Sequence, residues 1–271
     1  MKLFIKHFEP IVFETILSEY KDIDFSLFVD YRPEKTEDLS TINIFVLQEP
    51  NEYFGHHDWV IQNQHLFSFI LTWDDKVLAN CNNALFLPFG SSWITEEIAN
   101  KERSKMFSVG HLCGELLLTY GHQMRHEILK RENEIKIPKN FLFKGDRYPM
   151  SKALITKESI FASPMFAVVI ENTCHNGYFT EKITDCMMLK TIPIYWGCSN
   201  IEKFYNIEGI ILFRSVDELI QICNNLTPDY YTSRLSVIEE NYKRVNQYQK
   251  YENRICSKII DILKYNGIIR S

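Results

Sequence analysis

At 271 residues the chain is long enough for one large or two modest domains, and 45% hydrophobic with 24% charged residues is an ordinary globular composition. A net charge of −5 argues against broad nucleic-acid binding, and no apolar run is long enough to span a bilayer. The start, MKLFIKHFEPIVF, lacks the apolar core and small-residue cleavage site of a signal peptide. The seven cysteines, odd in number and without metal-site spacing, read as reduced thiols, so a soluble cytoplasmic protein is expected.

In chain order, Leu3 to Ile5 is a weak strand, Ile11 to Tyr20 has helical spacing, and FSLFVDYRP is strand-like up to Pro33. Thr41 to Leu47 is a buried strand, with the loop Gln48-Glu49-Pro50-Asn51 at its carboxyl end. Trp59 to Leu71 is ambiguous between helix and strand. FILTWDDKVL reads as strand, turn and helix start, and Ala84 to Pro88 as a short strand. Asp22-Ile23-Asp24, His56-His57-Asp58 and Asp74-Asp75 each imitate a metal patch. The first lies far from the later signature, the second lacks a third ligand at helical spacing, and the third reads as solvated, so no metal site is expected.

Residues 94–104 are a charged linker or exposed helix. A second alternation then begins with a strand from Lys105 to Gly110. The helix from Tyr120 to Lys130 presents Met124, Ile128 and Leu129 on its apolar side, and Phe141 to Phe143 is a short strand followed by the turn GDRYP. The strongest unit runs from Phe166 to Phe204. Phe166 to Ile170 is an unbroken apolar strand. Thr180 can cap a helix opened by Glu181 and Lys182, and Thr191 to Trp196 is a second buried strand closed by Gly197. This βαβ pattern predicts parallel strands with a right-handed crossover. Its loop, Glu171 to Lys182, lies where open α/β sheets bind ligands, and a lysine at a helix start suits a phosphorylated ligand whose hydroxyls Glu181 can receive. The alternative is a βα loop whose charges are merely solvated. Gly209 to Phe213 is a further strand, Val216 to Leu226 an amphipathic helix, and Tyr230 to Ile269 is helical throughout.

The central unit closely resembles the donor-binding motif of the α1,3-fucosyltransferases, glycosyltransferase family 10. Glu171-Asn172-Thr173, Tyr178-Phe179-Thr180-Glu181-Lys182 and Ile192-Pro193-Ile194-Tyr195-Trp196-Gly197 follow that family's order and spacing. The resemblance is strong from Met106 to Phe213 and faint before it. It implies a GT-B-like α/β fold: two Rossmann-like domains facing a cleft, with the C-terminal helix returning to the first. The expected boundaries are 1–98 for an acceptor-side domain, 99–245 for a nucleotide-sugar (donor) domain, and 246–271 for the returning helix.

The resemblance also implies an inverting, metal-independent glycosyltransferase, with no cofactor beyond the co-substrate. It would move fucose from GDP-fucose to a hydroxyl of an oligosaccharide or glycan, in a bacterial or viral-type soluble form without integral membrane segment. Glu49 matches the place of the family's general base, although Gln48 and Pro50 stand where the family has Gly and Asn; Glu52 and Asp74 are rivals. Arg125 matches the arginine that neutralises the nucleotide's phosphates, the alternative being a structural arginine paired with a carboxylate. Lys182 shares that charge. Asn172, Tyr178, Thr180 and Glu181 complete the donor-binding set. Two other readings stay open: the same mechanism with another donor such as UDP-xylose, and a non-catalytic nucleotide-sugar- or glycan-binding protein on the same scaffold.

Overall fold

The computed structural model describes residues 1–6, 8–144 and 157–269. The chain divides into two compact units, Met1–Phe89 with Lys250–Ser271, and Gly90–Gln249. Each is built on a five-stranded, wholly parallel sheet.

In the first unit, β1 (Lys2–Ile5), β2 (Phe25–Val29), β3 (Ile42–Leu47), β4 (Phe69–Thr72) and β5 (Ala84–Phe86) lie side by side in sequence order. β2 is buried along its whole length and β3 over all but its first residue, which accounts for their near-continuous apolar character. Phe28, Phe45, Leu47, Val60, Phe67, Ile70 and Val77 pack into one cluster. The stretch that was ambiguous in sequence resolves into a helix, His57–Gln62, and then β4. The last helix, Tyr251–Tyr265, packs on the helix Pro10–Ile16. Its Arg254 donates to the carbonyls of Pro88 and Phe89, both at 2.7 Å, at the point where the chain leaves this unit.

In the second unit, β6 (Met106–Gly114), β7 (Lys139–Lys144), β8 (Pro164–Ile170), β9 (Ile192–Trp196) and β10 (Ile211–Leu212) are ordered β10-β9-β8-β6-β7. Strand order reverses between β6 and β8, and this is a topological switch point. β8, the helix Glu181–Met188 and β9 form the expected parallel βαβ unit, with Ile170 beside Trp196. Thr180 caps that helix by accepting from the Lys182 N–H.

Several boundaries differ from the sequence expectations. Residues 90–98 belong to the second unit rather than the first: Ile94 is buried in its core, and the Asp185 carboxylate accepts from Ser92 Oγ at 2.8 Å and Trp93 N at 2.7 Å. The chain re-enters the first unit at Lys250 rather than 246. β6 extends four residues beyond Gly110, with His111 buried inside it, and β10 has two residues instead of five. The run from Tyr230 to Ile269 is broken into helices Pro228–Thr232, Leu235–Val245 and Tyr251–Tyr265. The turn expected at GDRYP lies outside the described residues.

Candidate active site

A cavity of about 150 Å³ opens at the β6/β8 switch point, lined by Leu112 and Gly114 of β6 and by Val168, Val169 and Ile170 of β8. It is smaller than the 300–1,000 Å³ typical of whole-ligand pockets, so it is sized for part of a ligand. Its charged lining is Arg125, Lys144, Lys157, Lys182 and Glu181. Four cations and one carboxylate line it, a composition that suits an anion.

Arg125 is brought here by the helix Tyr120–Lys130, which is capped by the Thr119 side chain. That helix starts hard against the end of β8: a Cβ on Gly121 would lie 1.9 Å from the Glu171 carbonyl oxygen, so only glycine permits the approach. Four residues on, the buried Arg125 guanidinium donates to the Ile170 carbonyl (Nε, 3.1 Å) and to Asn172 Oδ1 (Nη2, 2.7 Å). Both partners are neutral, and no carboxylate of the described residues forms an ion pair with it. Burial draws the Arg125 pKa down, against the pull of Glu171.

Glu171 is fully buried. Its carboxylate accepts from Thr180 N (2.9 Å) and Thr180 Oγ1 (2.7 Å), which ties the end of β8 to the start of the helix Glu181–Met188. Burial pushes its pKa up, opposed by Lys182. The Lys182 ammonium lies 3.0 Å from Thr180 Oγ1, 3.5 Å from Glu181 Oε1 and 3.6 Å from Glu171 Oε2. Burial would also raise Glu181, but Lys182 and Lys157 more than offset it and hold this carboxyl at about 2.

The structure brings Arg125, Glu181 and Lys182 together in the cavity lining and places Asn172 against Arg125. Tyr178 and Thr180, by contrast, are buried and do not line the cavity; Thr180 works as cap and Glu171 partner. Sequence reasoning missed Lys157. Its ammonium sits 2.6 Å from Asp185 Oδ2, 3.5 Å from Glu181 Oε1 and 3.7 Å from the centre of the Trp93 ring. Asp185, one turn after Glu181 on the helix Glu181–Met188, was the available signal: a carboxylate on a buried helix face requires a cation.

Glu49, in the first unit, follows β3 and is half-buried. Its rivals are otherwise employed or differently placed. Asp74, read from sequence as solvated, is instead 9% exposed: it accepts from Val77 N at 2.9 Å, capping its helix, and faces His57 Nδ1 at 3.2 Å. Glu52 is exposed on a four-residue helix. No group of three or more metal-ligating side chains is gathered among the described residues, and no described helix is long and apolar enough to cross a membrane.

The two parallel-sheet, Rossmann-like units, the second with a switch-point crevice, have the GT-B fold of the solved structures they superpose on. Among solved structures, an α1,3-fucosyltransferase in complex with GDP-fucose superposes with a TM-score of 0.52 at 16% identity, covering 88% of this chain and 82% of that one. Anabaena HepE in complex with UDP and glucose gives 0.55 at 12% identity, covering 94% and 82%. In sequence, 67 residues are 37% identical to the α-(1,3)-fucosyltransferase FucT of Helicobacter pylori. That match spans 24% of this chain and only 14% of the relative. No family model matches.

Proposed function

We propose that the protein is an inverting glycosyltransferase that moves fucose from GDP-fucose to a hydroxyl of a glycan acceptor without a metal ion. The observation that carries this reading is the cluster of Arg125, Lys182 and Glu181 at the switch-point cavity, on the motif that resembles fucosyltransferases. The short match to Helicobacter pylori FucT supports it.

The leaving diphosphate gathers negative charge as the glycosidic bond breaks. Arg125 and Lys182 absorb that charge, aided by the N-terminal end of the helix that Thr180 caps. Held ionised, Glu181 accepts hydrogen bonds from ribose or sugar hydroxyls and favours positive charge developing on the ring. Asn172, fixed by Arg125, orients the donor, while Thr180 and Tyr178 hold the loop from below. Glu49 takes the proton from the attacking hydroxyl.

The second reading keeps this mechanism with a UDP-sugar as donor. The complex of HepE with UDP and glucose, on a similar scaffold, means that the fold does not select the base or the sugar. Calorimetric titration of GDP, GDP-fucose, UDP and UDP-xylose, each with and without EDTA, decides between them. Tight GDP-fucose binding that EDTA leaves intact is expected. A preference for the UDP conjugate would replace the donor and keep the phosphate clamp. Binding without transfer or hydrolysis would leave a nucleotide-sugar-binding protein, and no binding of either nucleotide would remove the catalytic reading.

A further inference from the structure

We propose that Asp30 and His57 are positioning residues that grip the Glu49 peptide from its two sides, Asp30 through its N–H and His57 through its carbonyl. The inference rests on the reading of Glu49 as the base.

Asp30 follows β2 directly and is fully buried. Its backbone is left-handed, with φ of 47°, a conformation that aspartate tolerates better than most residues but adopts at a cost. That turn places the carboxylate across the end of the neighbouring strand. Oδ1 accepts from Gln48 N and Oδ2 from Glu49 N, both at 3.0 Å, while the Asp30 N–H donates to the Val46 carbonyl at 3.0 Å. One side chain therefore satisfies two successive N–H groups just beyond β3, where no ladder partner is available to them.

The other side of the Glu49 residue is held by a different element. His57, on the helix His57–Gln62 and 3% exposed, lies with Nε2 3.1 Å from the Glu49 carbonyl oxygen. Its Nδ1 faces Asp74 Oδ2 at 3.2 Å, so the ring spans from the loop after β4 to the loop after β3. His56 braces Asp30 in turn: its Nδ1 accepts from Arg32 Nε at 2.9 Å, which fixes the tautomer and leaves Nε2–H to donate to the Asp30 carbonyl at 3.1 Å.

Loops at strand ends are ordinarily among the most mobile parts of a domain. Here a buried acid in a strained conformation and a buried histidine hold the N–H and the carbonyl of one residue, and a second acid, Asp74, holds the histidine. The same arrangement explains why Asp74 is unsuited to be the base: its oxygens are committed to Val77 N and to His57. Position matters to a general base because an error of about 1 Å in a reacting group can cost about 100-fold in rate.

The test uses the full chain and two readouts. The first needs no substrate: amide hydrogen exchange of residues 47–49 in wild type, Asp30→Asn and His57→Ala. An asparagine can offer only one oxygen to the two N–H groups, so at least one of the Gln48 and Glu49 amides should exchange about tenfold faster in Asp30→Asn, with β8 amides unchanged. Equal protection in wild type and Asp30→Asn overturns the grip. The second readout is turnover of GDP-fucose, followed as GDP release with a mixture of free oligosaccharides as probe acceptors. Asp30→Asn should lower kcat by about 10- to 100-fold while donor KM and GDP affinity stay fixed, and it should add nothing further in a Glu49→Gln background. His57→Gln, which keeps a donor toward the Glu49 carbonyl, should recover part of what His57→Ala loses. Full additivity of Asp30→Asn with Glu49→Gln overturns the positioning role. A wild-type chain that transfers nothing counts against the proposed function, and the exchange result then still decides whether the grip exists.

Discussion

The two units share an architecture and differ in strand order, and that difference decides what each can offer a ligand. The first sheet runs β1 to β5 without reversal, so its order creates no crevice. Its polar side chains at the carboxyl ends of the strands turn inward on the main chain: Asp30 on Gln48 and Glu49, His57 on the Glu49 carbonyl, Asp74 on its own helix start. The second sheet reverses between β6 and β8, and the helices leaving those strands part there. The gap is lined by four cations and one carboxylate. In the first unit these side chains hold main chain at the strand ends; in the second, charged side chains line a cavity.

The largest effect that would break or sharpen this contrast is expected at Glu49. If the first unit contributes one positioned base, Glu49→Gln should lower transfer by about 10²- to 10⁴-fold and leave GDP affinity as in wild type. Steady-state kinetics beside calorimetry checks this, and a matching loss of GDP affinity would erase the division of labour. Next come the cations. Lys182→Ala or Arg125→Ala should cost roughly 10²- to 10³-fold in turnover, as expected for removal of a preorganised charge stabiliser, and should also weaken GDP binding. Normal rates in Arg125→Ala would reduce that residue to a brace between Ile170 and Asn172. A smaller effect, on stability, is expected at Gly121. An added Cβ has to displace the helix from the Glu171 and Asn172 carbonyls, so Gly121→Ala should destabilise by about 1–3 kcal/mol, read from urea unfolding. The same volume added at Gly114, where nothing lies within 4 Å of a Cβ, should be close to neutral.

How far these features were legible in the sequence follows the range over which each is determined. The unit from β8 to β9 was readable because its strands are buried on both faces and its helix has a side-chain cap, both local properties. β6 was read too short because His111 interrupts an apolar run; the fold tolerates that histidine by setting Nε2 3.3 Å from the Arg125 carbonyl. Strand order has no local signature, so the switch point could not be read, although the loop that lines it could. Lys157 escaped for the same reason: it meets Asp185 across 28 residues of chain and Trp93 from the opposite direction. Asp74 was misjudged because adjacent carboxylates in a turn suggest solvent, whereas the fully buried Trp73 before it draws the turn inward.

The smallest expected effect concerns pH, and it separates the grip on Glu49 from the clamp in the cavity. Burial raises Asp30 from 3.8 to about 7, against the two N–H groups of Gln48 and Glu49, whereas Lys182 and Lys157 hold Glu181 at about 2. For an acid whose folded pKa is raised, the folded state retains a proton that the unfolded chain releases. Its contribution to stability is therefore fully present below 3.8 and is lost as pH rises through about 7. Asparagine does not titrate, so the variant lacks this dependence. The melting temperature of wild type minus that of Asp30→Asn should thus decline as pH rises across that window. Glu181→Gln should show the opposite dependence, its difference from wild type shrinking only as pH falls toward 2, because a depressed carboxyl stabilises the fold above its unfolded value. A flat difference for Asp30→Asn would mean that the Asp30 carboxylate is ionised across that window in the folded state as well. The N–H groups of Gln48 and Glu49 would then outweigh its burial, and the grip would hold without the proton-linked cost that burial alone imposes.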